Sequence, residues 1–468
     1  MRLRVRGGRA VRGEAVVPGD KSIGHRAVLL AAIADGPSRI RRLSGGEDNA
    51  RTVEAMRALG VRVEAPAAGV LDVEGVGLEG LRGAGAASGS GSGPGPGTAL
   101  PPLEIFCGNS GTTMRLLAGL LAARPFEVRL DGDASLRRRP MGRVAAPLRA
   151  MGGRVDAAAT TVAPLVLGGV EAPACGGWFA LPVASAQVKS AILICGLRAP
   201  DDVVVEEPAP TRDHTERMLA AMGAPLRSVP GRASLDAAAW GPRAARRLHA
   251  LDRDVPADLS AAVFPLAVAL LVPGSEVAAR GVTVQPARAG ALEALAAMGA
   301  AFTRGAERDA GGEPVADLHA ACPAGAAPGL RATRVDGARL AAAIDEVPVL
   351  AALAAVAEGD TVFADAAELR VKETDRIATT AAMLRAFGAR ADERPDGLVV
   401  HGAAGIAALH PARVDAAGDH RIAMAAAVLG AALPGETVID GAGGVATSFP
   451  GFAAALAALG ADIDEEPS

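Results

Sequence analysis

Residues 54–64 read EAMRALGVRVE, and the pattern returns as APLRAMGGRVD at 146–156, RMLAAMGAPLR at 217–227, EALAAMGAAFT at 293–303, AMLRAFGARAD at 382–392 and AALAALGADID at 454–464. Each copy has apolar residues at helical spacing, then a glycine suited to the left-handed position that ends a helix, then a short strand-like tail. The glycines are Gly60, Gly152, Gly223, Gly299, Gly388 and Gly460. Their separation of roughly 70 to 90 residues is too long for a solenoid. The expectation is therefore six helix-and-strand units packed as two groups of three.

A chain of 468 residues allows about two or three domains. Half the residues are apolar, 21% are charged and the net charge is -4, a balance that excludes global disorder. Forty-eight basic residues against 52 acidic ones, with 2% aromatics and no tyrosine, argue against a nucleic-acid binder and for a small substrate. Cys107, Cys175, Cys195 and Cys322 lie far apart, with no zinc or disulfide spacing, and read as buried free thiols. The segment MRLRVRGGRAVRG lacks the apolar stretch of a signal peptide. The longest apolar run, Leu259 to Val272, contains Pro265 and is too short to span a bilayer. These features predict a cytoplasmic protein with no membrane contact.

Two breaks suggest where the chain passes between domains. One lies between Gly241 and Arg253, ahead of the apolar run VPADLSAAVFPLAVALL, and the other near Pro18 and Gly19, after a short strand at Arg2–Arg6. Gly83–Thr98, with GSGSGPGPG at its centre, is expected to be a disordered surface insertion.

Only three of the basic residues are lysine: Lys21, Lys189 and Lys372. Where arginine has replaced lysine almost everywhere, a retained lysine points to a need for its compact ammonium or tunable pKa. Lys21, Ser22 and Arg26 stand in PGDKSIGHR, a glycine-bearing turn into a helix, where free N–H groups and the helix dipole favour an anion. The spacing is not that of a P-loop. In GNSGTTMR, Gly111 lets the backbone approach a ligand and Asn109 can position it. GDASLRRRPMGRV places Arg137, Arg138 and Arg139 together; such a run is ordinarily a solvated face, but beside a glycine-rich turn it is a candidate phosphate clamp.

In SAQVKSAILICGL, Ser185 can cap a helix while Gln187 faces a ligand. TRDHTERML sets Arg212 before another helix start, with Asp213 a candidate cap. The pair most like a catalytic centre is Asp345 and Glu346, opening an apolar helix, with Lys372, Glu373 and Arg376 following in LRVKETDR. A carboxylate beside a lysine can act as general base while the ammonium holds the reacting oxygen, and a second carboxylate can handle another proton. GDHRIAM puts Arg421 at a further helix start, with His420 read as structural. Seven such starts suggest positive helix ends converging on one cleft that attracts a small polyanion.

Taken together, PGDKSIGHR, GNSGTTMR, RRRPMGRV, SAQVKSA, RDHTE, IDEVP, LRVKETDR, GDHRIAM and TSFPGF resemble the 5-enolpyruvylshikimate-3-phosphate (EPSP) synthase family, in that family's order, from about residue 18 to 452. The resemblance implies an α/β (α+β) fold of two similar domains, each of three βαβαββ units in an inside-out α/β barrel, joined by two hinge crossings. By analogy one domain spans 1–19 plus 256–468 and the other 20–255. Closure around the first substrate would assemble the site and exclude water. The implied reaction is transfer of the enolpyruvyl group of phosphoenolpyruvate to the 5-hydroxyl of shikimate 3-phosphate, by addition then elimination. Neither cofactor nor metal is implied, and a monomer is expected.

Carried over motif by motif, Lys21, Ser22, Arg26, Ser185, Ala186, Gln187, Arg212, Asp345 and Lys372 resemble shikimate 3-phosphate contacts. Lys21, Gly111, Arg139, Gln187, Arg376 and Arg421 resemble phosphoenolpyruvate contacts. Asp345 would be the base on the 5-hydroxyl, and Glu373 with Lys372 would manage protons on the enolpyruvyl carbon, with Lys21 also in the catalytic set. Glyphosate, a phosphoenolpyruvate mimic in this family, is expected to fit beside the methyl-free Gly111. The chain departs from the family pattern at Gly24, where serine is usual, in the Gly83–Thr98 insertion, in lacking a tyrosine for the ring acid, and at Thr447, where some members carry a phosphate-binding lysine. The sister family acting on UDP-amino sugars has a Lys-Asn pair and a loop cysteine; Lys21 is followed by Ser22, and no cysteine is placed that way. The remaining alternative is an inactive anion-binding scaffold.

Overall fold

All six recurring segments end their helices in the same way. The computed structural model describes residues 1–84, 101–157, 161–172 and 174–467. In it Gly60, Gly152, Gly223, Gly299, Gly388 and Gly460 all have φ between +69° and +106°. The N–H of the next residue reaches back to a carbonyl of the last helical turn: Val61 to Met56, Gly153 to Leu148, Ala224 to Leu219, Ala300 to Leu295, Ala389 to Leu384 and Ala461 to Leu456. This is the hydrogen-bond signature of a Schellman stop, and an L-residue at the glycine would be strained by about 1–2 kcal/mol.

The module around each stop is visible between residues 103 and 168. Strand Leu103–Phe106 pairs parallel to Glu127–Asp131, which pairs antiparallel to Leu165–Gly168, itself antiparallel to Val155–Ala157. The parallel pair requires a crossover, supplied by helix Gly111–Leu121, and the recurring helix Gly142–Ala150 leads into the hairpin. The result is βαβαββ, and six sheets share this strand order, one of them with an added strand, Arg308–Ala310.

Three sheets borrow a strand from elsewhere in the chain. Arg2–Gly7 lies between Gly435–Asp440 and Asp462–Glu466, and Arg12–Glu14 opens the sheet built on Ser275–Thr283 and Glu313–Cys322. Asp252–Asp254 opens the sheet of Asp35–Arg41 and Val70–Val76. The chain accordingly divides into Met1–Asp20 with Pro256–Ser468, and Lys21–Val255. Asp20 belongs with the first unit rather than the second: its N–H donates to the Pro256 carbonyl at 2.7 Å and its carboxylate lies 3.2 Å from Arg288.

Each unit has its own core, centred on three crossover helices that are apolar on nearly every side. In the first unit these are Leu259–Leu271, Val347–Val356 and His420–Ala432, with every residue buried. In the second they are Lys21–Ala32, Gly111–Leu121 and Ala186–Gly196. The last two approach so closely that a Cβ on Gly119 would stand 2.3 Å from the Ala191 carbonyl oxygen. No helix among the described residues is long and apolar enough to cross a membrane. Cys107, Cys195 and Cys322 are buried as expected, and burial pushes the Cys107 and Cys195 thiols up to about 12. Cys175 is exposed instead, because it lies on the irregular surface segment ahead of strand Gly177–Ala180. The expected insertion falls almost wholly within 85–100, outside the described residues.

In the second unit arginines close the carbonyl ends of two core helices, Gly111–Leu121 and Ala186–Gly196. Arg124 donates to Leu120 and Leu78 carbonyls, Arg198 to Ala123, and Arg246 to Leu197 and Ala199. Positive side chains at carbonyl ends also complement the helix dipole. Glu79 pairs with Arg198 and Arg243. Although its partial burial opposes ionisation, hydrogen bonds from those two guanidinium groups hold its carboxyl down to about 2. A depressed folded-state value stabilises the fold above the ordinary 4.5 and loses that contribution as pH falls toward 2. Glu79→Gln is therefore expected to flatten the loss of stability between pH 5 and 2 in urea titrations at stepped pH; a slope identical to the parent would contradict the ion-pair account.

Candidate active site

The core helices are buried along their sides, so the first turns of these helices are where they can present polar groups. In the Lys21–Val255 unit those first turns carry the motifs singled out in the sequence. Lys21 Nζ pairs with Asp48 at 2.8 Å, and Ser22 follows in the same turn. Arg26, one turn on, is buried and donates from Nε to Thr215 Oγ1 at 2.7 Å, from Nη2 to Ser190 Oγ at 2.9 Å and from Nη1 to the Ser22 carbonyl at 2.9 Å. Its guanidinium thus joins segments that lie about 165 and 190 residues apart in sequence. Beneath it His25 bonds Thr52, which bonds Thr113; burial lowers the imidazole to about 3, so it remains neutral.

Gln187 links two more motifs, accepting from Arg115 Nη1 at 2.8 Å and donating to Thr112 Oγ1 at 2.8 Å. Ser185 caps its helix through Val188 N–H, and Ala186 opens that helix while its carbonyl accepts from Ser190. The arginine run divides. Arg137 turns outward to clasp Asp131 with two bonds and Arg138 is exposed, whereas Arg139 turns inward, is buried and bonds Asn109. A Cβ added to Gly111 would lie 2.7 Å from Arg115 Nη1 and 3.3 Å from Arg139 Nη1, so this glycine keeps the ends of both guanidinium groups free of a methyl group. Arg212 is half-buried beside Thr211, whose hydroxyl donates to Glu207. Asp213 does not cap the next helix but pairs with Arg217.

The retained Lys189 has a different role from Lys21. Its ammonium is buried between Glu207 at 2.7 Å and Glu216 at 2.8 Å. Burial opposes its charge, yet these carboxylates hold its pKa above the ordinary lysine value. Glu207 also accepts from Ser185 N–H at 3.2 Å, so the ion pair fixes the turn that presents Ser185, Ala186 and Gln187.

In the other unit Asp345 stands at the centre of a cationic cluster. Its carboxylate lies 3.5 Å from Arg376 Nη1, 3.8 Å from Lys372 Nζ and 3.9 Å from Arg421 Nη2, while its carbonyl accepts from Arg421 Nη1 at 2.8 Å. Arg376, buried, is clasped by Asp419 at 2.8 and 3.3 Å and by Glu373 at 2.6 Å. Asp419 caps helix His420–Ala432 through Arg421 N–H and stays below the usual carboxylate range: burial opposes this, but Arg376 overrides it. Glu346 is buried behind Asp345, bonded to Ser260, and burial raises it above the usual range. Asp345, Lys372, Glu373, Arg376 and Arg421 are thus brought together. Thr447 is not a substitute cation; its hydroxyl turns back to the Gly444 carbonyl at 2.7 Å.

The sequence reading missed Asp48, Arg115, Asp419, Ser260 and Arg288. Asp48 had one signal, its neighbour Asn49 being one of only two asparagines in the chain. The others stand among common residue types and become visible only through partners distant in sequence. Gly24 has a packing cause, since a Cβ there would stand 2.3 Å from Asn49 Nδ2 and 2.7 Å from Leu43 Cδ1.

Each three-module unit has buried helices that open onto its own cluster of lysine, arginine and carboxylate side chains, chemistry suited to binding small anions. The family model of EPSP synthase (3-phosphoshikimate 1-carboxyvinyltransferase) matches residues 5–456, and the chain belongs to that family. It is 46% identical over 448 residues to the 3-phosphoshikimate 1-carboxyvinyltransferase of Xanthomonas axonopodis pv. citri, covering 96% of this chain and 94% of that relative. An EPSP synthase structure from Acinetobacter baumannii superposes with a TM-score of 0.83 at 37% identity, covering 99% of each chain. The enolpyruvyl transferase NikO from Streptomyces tendae shares the fold, with a TM-score of 0.74 at 20% identity over 99% of this chain and 98% of that one.

Replacing Lys189 by Met would leave Glu207 and Glu216 buried without their cation. A loss of about 3–5 kcal/mol is expected in urea unfolding, the range for breaking a buried pair from one side. An unchanged midpoint would show that the two carboxylates do not depend on the ammonium.

Proposed function

We propose that the residues assembled in each unit carry out the family reaction on one pair of substrates. As a member of this family the chain transfers the enolpyruvyl group of phosphoenolpyruvate to the 5-hydroxyl of shikimate 3-phosphate and releases phosphate. The observation that carries the assignment of roles is the grouping of Lys372, Arg376 and Arg421 within 3.9 Å of the Asp345 carboxylate.

Asp345 takes the proton of the 5-hydroxyl as its oxygen attacks C2 of phosphoenolpyruvate. A proton delivered to C3, by Glu373 acting with Lys372, completes a tetrahedral intermediate. Loss of a C3 proton then expels phosphate and restores the double bond, so protons balance over the two steps. Lys372 also holds the reacting oxygen. Arg376 and Arg421, each fixed by a carboxylate or carbonyl partner, hold the phosphoenolpyruvate anion without reorganising.

In the other unit Lys21, Gly111, Arg139 and Gln187 serve phosphoenolpyruvate. Lys21, Ser22, Arg26, Ser185, Ala186, Gln187 and Arg212 serve shikimate 3-phosphate, together with Asp345 and Lys372. Arg26 acts on it mainly by setting Ser22 and the Ser190 turn, since protein oxygens engage all three of its nitrogens. We place this action in the cytoplasm and assign it to a monomer.

Phosphate release from phosphoenolpyruvate, measured with shikimate 3-phosphate, shikimate or a UDP-amino sugar as acceptor, tests the assignment; release with shikimate 3-phosphate alone is expected. Asp345→Ala should lower kcat by about 10²- to 10⁴-fold while shikimate 3-phosphate still binds in calorimetry; an unchanged kcat would remove Asp345 from the mechanism. Gly111→Ala should weaken both phosphoenolpyruvate binding and glyphosate inhibition, because the methyl group meets the tips of Arg115 and Arg139. Equal inhibition of the variant and the parent would refute this steric account.

A further inference from the structure

Behind Asp345 runs a buried polar chain, from Arg288 through Ser260 to Glu346, that the reaction itself does not use and that ends against Arg421. Arg288 lies in the turn Pro286–Arg288 and is almost wholly buried. Its Nη2 pairs with Asp258, lies 3.2 Å from Asp20 Oδ2 and donates to Ser260 Oγ at 3.0 Å. Ser260 in turn donates to Glu346, whose Oε1 stands 3.7 Å from Arg421 Nη1, and that nitrogen bonds the Asp345 carbonyl at 2.8 Å. Asp20, Arg288, Asp258, Ser260, Glu346 and Arg421 are all buried.

Groups so enclosed have no solvent to take over a lost partner, so each is held where its neighbours leave it. Asp258 also caps helix Leu259–Leu271 through Ser260 N–H at 2.8 Å. The same guanidinium therefore fixes the first turn of that helix, the Glu346 carboxylate and, through Asp20, the residue from which the chain leaves this unit at Lys21.

We propose that Arg288 is a positioning residue for the enolpyruvyl transfer, acting through Ser260 and Glu346 on Arg421 and Asp345. It touches neither substrate. The inference rests on the roles given above to Asp345 and Arg421. Glu346 sits behind both: it balances the Arg421 charge from the buried side while the Asp345 carbonyl holds the same guanidinium from the other. Without Arg288, Ser260 loses the cation that orients its hydroxyl, and the Glu346 carboxylate, left with one buried cation fewer, draws Arg421 toward itself and away from the substrate side.

The test uses the full-length enzyme with Ser260→Ala, Arg288→Lys, Arg288→Met and the Ser260→Ala/Arg288→Met pair, with Asp345→Ala alongside. Ser260→Ala removes one hydroxyl and leaves the Arg288 pairs with Asp20 and Asp258, so it serves as the variant that folds if Arg288→Met does not. KM for phosphoenolpyruvate should rise about 3- to 10-fold in Ser260→Ala, which removes a bridging hydroxyl but keeps the ionisable groups on either side, and about 10- to 100-fold in Arg288→Met, which removes the charge itself. Arg288→Lys should recover part of the loss. The double variant should be little worse than Arg288→Met, because residues acting through one chain of contacts are not additive.

The groups facing Asp345 are Lys372, Arg376 and Arg421, with Glu346 and Arg288 behind. Removing the last of these cations should move the acid limb of the kcat/KM profile to higher pH. A lower melting temperature with KM and kcat unchanged in both Ser260→Ala and Arg288→Lys and, where Arg288→Met folds, with its acid limb unmoved would reduce Arg288 to a stabilising role and overturn the inference, leaving the proposed function standing if Asp345→Ala is inactive. An unchanged kcat in Asp345→Ala would overturn both.

Discussion

A helix that is apolar on all sides can be buried, but its ends cannot be apolar: free N–H groups at the start and free carbonyls at the end must find partners. Six such helices form the two cores, and this requirement organises the polar groups of the chain. In the Lys21–Val255 unit arginine side chains close the carbonyl ends of Gly111–Leu121 and Ala186–Gly196. The N-terminal ends are where lysine, serine, glutamine and arginine accumulate, with acidic caps such as Asp258 and Asp419 in the other unit.

The two units solve the same problem with different chemistry. Around Arg26 and Arg139 hydroxyls, a carbonyl and an amide orient the guanidinium groups, while Lys21 pairs with the single carboxylate of Asp48. Around Asp345 the cations face carboxylates, so charges alternate from Glu373 through Arg376 to Asp419. The first arrangement suits holding anions; the second suits a base whose proton must move.

Much of this was legible in the sequence because it is local. A left-handed glycine after an amphipathic turn is written in consecutive residues, and all six stops stand where the repeats end. Lysine scarcity drew attention to three positions, but it could not separate Lys189, locked between Glu207 and Glu216, from Lys21 or Lys372. Nor could the run Arg137–Arg139 reveal that only its last member turns inward, which depends on Asn109 across a turn. Arg288 was invisible for the same reason: its meaning lies in Asp20 and Asp258, which are 268 and 30 residues away in a chain rich in arginine and aspartate.

The borrowed strands also impose an order of assembly on the growing polypeptide. Lys21–Val255 contains every strand of its three sheets, so this unit has all its pairing partners once residue 255 has emerged from the ribosome. Strand Arg2–Gly7 is synthesised before both of the strands it sits between, Gly435–Asp440 and Asp462–Glu466. Its backbone hydrogen bonds must wait until those two distant strands have been translated, and until then it is an open strand edge.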